Sequence, residues 1–406
     1  MFADENVIKI KHEVLYHVAK LAFEDELDAK RDSIAFELIP GPTPQFGCCV
    51  YKEREIIRQR IRLVEGKSAG PVDDGNVIQV IPSACEDCPI STYTVTENCQ
   101  NCAGKACISA CKFQAIHPGR DRSHIDVSKC KECGKCAEAC PYNAIAHLKR
   151  PCKFACPVDA ITYDEYGISV IDRSKCISCG KCIHRCPFGA IGSKTFIVDV
   201  INALKSNKKV YLMAAPATEG QFGEDITMIS WKKAMLELGF DDFYDVSLGA
   251  DMTAAYEAEE WAEAYNEGKK KVTSCCPAFV NMVRLHYPQL ADCVSTTVSP
   301  MCAVSRLIKA RDPEAITVFL GPCIAKKEEA IGDARVAGAI DAIITFEEFE
   351  KFCSDKEYLF CKPDGLDSGR GIEKLKIADF DSIKAIYEYC KEKNFGVVEE
   401  VAKQHP

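Results

Sequence analysis

No apolar run in the 406 residues reaches the roughly 18 that a membrane-crossing helix requires. The opening residues Met1-Phe2-Ala3-Asp4-Glu5 lack the charged stretch and apolar core of a secretory leader. Basic charge is not in excess either. A formal net charge of −9 argues against nucleic acid as the main partner, and thiolate-held clusters would add to it. These absences predict a cytoplasmic protein with no membrane and no nucleic-acid partner. The length exceeds a single core, so two or three domains are expected. What the chain has in abundance is cysteine, 26 in all. In a short chain that number would suggest a disulfide scaffold; here the cysteines cluster at metal-ligand spacings, which points to a reducing, anaerobic cytoplasm.

Two cysteine runs are complete. Cys130-x2-Cys133-x2-Cys136-x3-Cys140-Pro141 and Cys176-x2-Cys179-x2-Cys182-x3-Cys186-Pro187 have the bacterial ferredoxin spacing. In that spacing three cysteines hold one [4Fe–4S] cube and the fourth reaches its neighbour, so each run needs a partner. The first finds it in Cys99-x2-Cys102-x4-Cys107-x3-Cys111. Crossing the fourth cysteines gives one cube on Cys99, Cys102, Cys107 and Cys140, and a second on Cys130, Cys133, Cys136 and Cys111. The partner of the second run keeps only Cys152-x3-Cys156-Pro157, and Cys85-x2-Cys88-Pro89 upstream supplies the missing pair. A third cube then sits on Cys85, Cys88, Cys152 and Cys186, and a fourth on Cys176, Cys179, Cys182 and Cys156. Sixteen thiols fill four cubes. A single Cys-x2-Cys read alone could be a zinc site or a redox pair; three ligands in one tight loop favour a cube.

The expected class is α+β in three parts. Residues 1–80 read as helical, with Val14, Leu15, Val18, Leu21 and Ala22 at helix spacing and a break at Pro40-Gly41-Pro42-Thr43-Pro44. Cys48 and Cys49 follow the break and are expected to pack. The basic stretch 54–67 reads as one face of an amphipathic helix, or as a docking patch for an acidic electron carrier. Residues 81–193 form the ferredoxin-like region, where Cys-Pro-x-x-Ala-Ile recurs three times, with Ile145, Ile161 and Ile191 shielding the cubes and His184 outside the ligand set. Residues 194–406 read as α/β. Strands are expected at 210–214, 243–246, 271–275, 316–320 and 340–344, and helices near 228–239, 251–267 and 346–355. The unusual residues follow strands, where α/β proteins place their sites.

Two such loops are Thr273-Ser274-Cys275-Cys276-Pro277-Ala278-Phe279 and Gly321-Pro322-Cys323-Ile324-Ala325-Lys326-Lys327-Glu328-Glu329. Beside the ferredoxin region they resemble the first two signature loops of [FeFe]-hydrogenases, over about residues 85 to 350, in a branch with an extended four-cube region. The resemblance implies an H-cluster, a [4Fe–4S] cubane joined to a diiron unit, with Cys276 and Cys323 as cubane ligands. It makes Cys275 the thiol that passes protons to the diiron unit, and Lys326 the donor to one of that unit's cyanide ligands. Ala215, Pro216 and Ala217 match a loop lining the same ligands. Glu257 and Glu260 match two carboxylates of the proton route, with Ser295 between them and Cys275; a solvated acidic face is the other reading. A ferredoxin or similar acidic electron carrier and a diiron maturation machinery are the implied partners.

The chain also departs from the family. Phe279 stands for a usual Trp, Gly321 for a Met, and Met301 for a Gln. The third ligand loop, rich in Cys-x3-Cys, is not present: Cys353, Cys361 and Cys390 have other spacings. It would fall between residues 371 and 394, where the sequence reads as though a segment were omitted. A hydrogenase is the leading expectation; a non-catalytic iron–sulfur scaffold or carrier and an H2 or redox sensor are the rivals.

Overall fold

A helix whose apolar residues recur every three or four positions must bury one stripe, and the first helix, Glu5–Phe23, does so with Val14, Leu15, Val18, Ala19 and Ala22. The computed structural model describes residues 5–88, 92–221 and 226–349. The first helix packs on Leu27–Leu38 and Val50–Val64, and the three share one core with the α/β part of the chain, through Ile197, Leu212, Trp231 and Leu320. The 40–44 break is closed by a buried carboxylate: Glu53 accepts from the backbone N–H groups of Gln45, Phe46 and Gly47 at 2.5–2.8 Å. Three such bonds satisfy a group that would otherwise be costly to bury.

The basic stretch is the amphipathic helix Val50–Val64. Two of its arginines turn inward: Arg54 donates to the Ile39 and Pro40 carbonyls, and Arg60 is buried on Gly189. Cys48 and Cys49 are exposed, contrary to the packing role expected of them. Cys49 instead caps the helix, its Sγ accepting from the Lys52 N–H at 3.5 Å. The cap position is solvent-facing, and that need outweighs thiol burial here.

In the cysteine-rich region the described residues form four antiparallel two-stranded ribbons. Thr92–Val95 pairs with Ile145–Leu148, Ile116–His117 with His124–Ile125, Ile161–Tyr163 with Ser169–Ile171, and Ile78–Val80 with Ile191–Ser193.

The α/β part is a parallel sheet in the order Asp242–Asp245, Val210–Ala214, Ile316–Leu320, Ala342–Ile344. Its helices include Met228–Leu238, stopped by left-handed Gly239, and Ser247–Asn266. The strand expected at 271–275 is not in the sheet. A parallel strand is covered on both faces and reads as a continuous apolar run, whereas Lys271-Val272-Thr273-Ser274-Cys275 has a single branched apolar residue. The segment forms only a bridge between Val272 and Val294. The expected helix 346–355 is described only through residue 349. The place of the third ligand loop, with Cys353, Cys361 and Cys390, lies outside the described residues. Among the described residues no helix is long and apolar enough to cross a membrane.

Candidate metal centres

The cysteines gather in two buried clusters. One centres on Cys107 and Cys136 with Cys111 and Cys140 against them; the other centres on Cys85, Cys152 and Cys186 with Cys156, Cys176 and Cys182 against them. Their electrostatics sort them further. Burial pushes the Cys88 thiol up to about 11, with Cys186, Cys152 and Cys85 adding to the rise. Cys85 and Cys88 therefore lie beside Cys152 and Cys186 despite the long gap in sequence. Cys182 is raised by burial and then by Cys176, Cys179, Cys152 and Cys156; Cys136 is raised by burial, with Cys130 and Cys111 contributing. Thiols crowded this way resist ionisation, because each thiolate opposes the next. A cationic iron–sulfur core removes that penalty, so the donor set fits [4Fe–4S] clusters. Among the described residues no three His, Cys, Asp or Glu side chains converge on one bare ion.

The backbone of each unit is shaped toward sulfur. Three residues after the last cysteine the chain turns left-handed, at Gln114, Asn143, Asp159 and Gly189, with φ between 48 and 57°. That turn aims the next N–H, from Ala115, Ala144, Ala160 or Ala190, at the Sγ of Cys111, Cys140, Cys156 or Cys186, at 3.2–3.4 Å. Buried isoleucines then start the ribbon strands: Ile116, Ile145, Ile161 and Ile191. The unit after Cys111 lacks the proline, so the Cys-Pro pattern hides a fourth copy that Ala115-Ile116 reveals. A similar turn at Glu132 and Ser178 directs their N–H groups to Cys130 and Cys176 at 3.4 Å. His184 is exposed.

At the strand ends, Leu320 pairs in register with Ala214, so the loops that follow are neighbours. The Ala215 N–H donates to the Leu320 carbonyl at 2.8 Å. Ala215 is buried, while Pro216 and Ala217 are exposed. A Cβ at Gly321 would come within 2.8 Å of the Phe319 ring and 3.1 Å of the Ala215 Cβ. Close approach of the two loops thus calls for glycine at 321. Cys276 stands at the N-cap position of the helix Pro277–His286, with no capping hydrogen bond from its side chain. Cys275 and Cys276 are exposed and Cys323 is half-buried.

Buried Lys326 ties the two cysteine loops together. Its Nζ donates to the Cys275 carbonyl at 3.2 Å and to Glu329 at 2.9 Å, and Glu329 also accepts from Ser299 at 3.1 Å. Glu257 accepts from the Ser274 N–H at 2.9 Å, from Thr273 Oγ1 at 2.9 Å and from Thr297 Oγ1 at 3.1 Å. Thr297 Oγ1 lies 2.7 Å from Ser274 Oγ and 2.8 Å from Ser295 Oγ. Burial alone would raise Glu260, but hydrogen bonds from Ser295 and Thr296 outweigh it and hold the carboxyl below its usual range. Ser295 therefore sits between the two carboxylates. Thr297, Thr273 and Glu329 were not singled out from the sequence. Thr297 carries no motif, whereas Thr273 and Glu329 lie within the two signature-like loops, which mark them without giving either a role.

Several contacts among the described residues join this site to the cysteine-rich region. His286 Nε2 lies 2.8 Å from the Lys175 carbonyl, Arg173 pairs with Glu328 at 3.5 Å, and Ile324 packs against left-handed Gly180, where a Cβ would come within 2.7 Å. Buried Lys327 reaches the Lys194 carbonyl at 2.9 Å and pairs with Glu348.

Residues 208–399 match the C-terminal domain of the iron-only hydrogenase large subunit, residues 123–146 a 4Fe-4S binding domain, and residues 146–197 the LdpA Fe-S cluster-binding domain. Iron hydrogenase 1 of Clostridium pasteurianum is 33% identical over 259 residues, 59% of this chain and 45% of that protein. The NADP-reducing hydrogenase subunit HndD of Solidesulfovibrio fructosivorans is 30% identical over 183 residues, 38% of this chain and 31% of that one. A 7Fe ferredoxin of Hydrogenibacillus schlegelii is 38% identical over 55 residues, 14% of this chain and 70% of the ferredoxin. Among solved structures, a variant of the [FeFe]-hydrogenase HydA1 from Chlamydomonas reinhardtii aligns with a TM-score of 0.37 at 23% identity, over 40% of this chain and 47% of the other. The matched region spans less than half the length of these hydrogenases.

Proposed function

The chain belongs to the [FeFe]-hydrogenase family, and from that premise we propose that it interconverts H2 with protons and electrons in the cytoplasm. Cys276 and Cys323 would be two of the cubane ligands of an H-cluster, which would supply the redox metal chemistry when bound. Sixteen cysteines of residues 81–193 hold four [4Fe–4S] clusters as a relay to a ferredoxin or similar acidic carrier. Cys275 gives and takes the proton at its Sγ. Glu260, Ser295, Thr297 and Glu257 form the hydrogen-bonded route toward it. Lys326 spends two N–H groups on Cys275 and Glu329; the third is the donor to the cluster's ligands, a role suited to a compact ammonium. Ala215, Pro216 and Ala217 would line the same ligands through backbone groups.

The observation that carries this reading is the 3.2 Å bond from Lys326 to the Cys275 carbonyl, which holds a proton-relay candidate against the loop of Cys323. The test is gas chromatography of H2 from the full chain after treatment with diiron maturation proteins, with reduced ferredoxin as donor. H2 release supports the proposal. Silence from a protein with intact cluster spectra would favour the scaffold or sensor instead.

A further inference from the structure

The cysteines Cys85, Cys88, Cys152 and Cys186 differ from the other three sets in that the cations around them are buried; Lys105 and Arg122 act on Cys99 but are only half-buried. Arg150 is buried, and its Nη1 donates to Cys85 Sγ at 3.6 Å and to Ser169 Oγ at 3.3 Å. Its Nη2 donates to the Cys88 carbonyl at 2.9 Å, and the guanidinium lies over the Tyr163 ring, 4.6 Å from its centroid. Arg60, also buried, donates to the Gly189 carbonyl at 2.6 Å and acts electrostatically on Cys186. Gly189 makes room for it, since a Cβ there would lie 2.7 Å from the guanidinium; the corresponding residues elsewhere are Gln114, Asn143 and Asp159. Arg150 holds the place, two residues before the third cysteine of its unit, that Lys105, Gly134 and Gly180 hold in the others. Glu347 also faces Arg60, but pairs with His12 at 3.4 Å.

A cluster's potential follows its net charge, the hydrogen bonds to its sulfurs and its exposure. Reduction adds one negative charge, which a permanent guanidinium stabilises. Burial alone would oppose that charge, but it also removes the water that would screen the arginines. We propose that Arg150 and Arg60 make the cube on Cys85, Cys88, Cys152 and Cys186 the highest in potential of the four, so that it is the resting place of an electron in the relay. One electron leaves a neighbouring cube, which is oxidised, and reduces this one, with no proton transferred. The inference rests on the four-cube reading.

The experiment is an EPR-monitored potentiometric titration of the full chain with reconstituted clusters, before any diiron unit is added. Cys88→Ser identifies the cube, because it should alter the g-values of the component reduced first. Arg150→Met should move that component negative by at least 59 mV, a tenfold loss of reduced form at the original midpoint for a one-electron couple. Arg60→Met should move it the same way by less; Arg150→Lys, which keeps the charge, should retain most of the potential, and Lys105→Met should leave it in place. An unmoved component in Arg150→Met of full iron content, or Cys88→Ser changing a different component, would overturn the proposal. Should Arg150→Met lose iron, Arg60→Met decides, and an unmoved first component there overturns it. Wild-type iron well below about sixteen atoms, at four per cube, would instead reject the four-cube reading.

Discussion

Lys326 Nζ donates to the carbonyl oxygen of Cys275 at 3.2 Å, across 51 residues of sequence. The backbone of an exposed cysteine is thereby held by a buried cation, while its thiol stays available. Cys275→Ser should leave cluster assembly intact and nearly abolish H2 turnover, because a hydroxyl hardly ionises at neutral pH. Cys276→Ser should weaken the cubane itself. Iron content and H2 assays on both variants check this division of roles, and equal cluster loss in both would reject it.

Glu260 is held below its usual pKa chiefly by Ser295 and Thr296, against the opposing effect of burial. A depressed folded pKa adds stability above the unfolded value of about 4.3, and that stability is lost as pH falls through the folded value. Thermal midpoints of wild type and Glu260→Gln should differ most near neutrality and converge below about pH 4. The same variant should lower H2 turnover by about 100-fold or more with unchanged cluster spectra, in the range of general acid–base contributions. A variant with wild-type turnover would remove Glu260 from the route.

Iron analysis tests the relay. The full chain, purified with its clusters, should carry about sixteen iron atoms in the four cubes, at four per cube, and up to about four more if a cubane sits at Cys276 and Cys323. A total near eight, with zinc making up the difference, would contradict the assignment.

Lys327 and Glu348 form a buried ion pair between the second cysteine loop and residues 346–349. Removing one partner leaves a buried charge unpaired, so Lys327→Met should destabilise the fold by about 3 kcal/mol. Adding Glu348→Gln should recover part of that loss. Denaturant unfolding of both variants measures it, and a change below about 1 kcal/mol in Lys327→Met would show the pair to be solvated.

Much of this protein was legible because its chemistry is local. A Cys-x2-Cys-x2-Cys loop closes within a few residues and needs only permitted backbone turns, so the spacings around Cys130 and Cys176 predicted metal-ligand loops without reference to the rest of the chain. The strands 210–214 and 316–320 were readable for the same reason, being short apolar runs that a parallel sheet buries on both faces. Segment 271–275 misled because one valine among polar residues cannot fill such a position, and the packing of Cys48 and Cys49 was misjudged because the helix start that they flank faces solvent. Cysteine spacing and strand periodicity were thus readable from the chain alone. Only the three-dimensional packing showed that Lys326 reaches the Cys275 carbonyl, that Arg150 is buried against the Cys85 thiol, and that Arg60 is buried against the Gly189 carbonyl. Those relationships join residues tens to more than a hundred positions apart, and a chain brings such groups together only where burying the apolar surface between them offsets the entropy of ordering it.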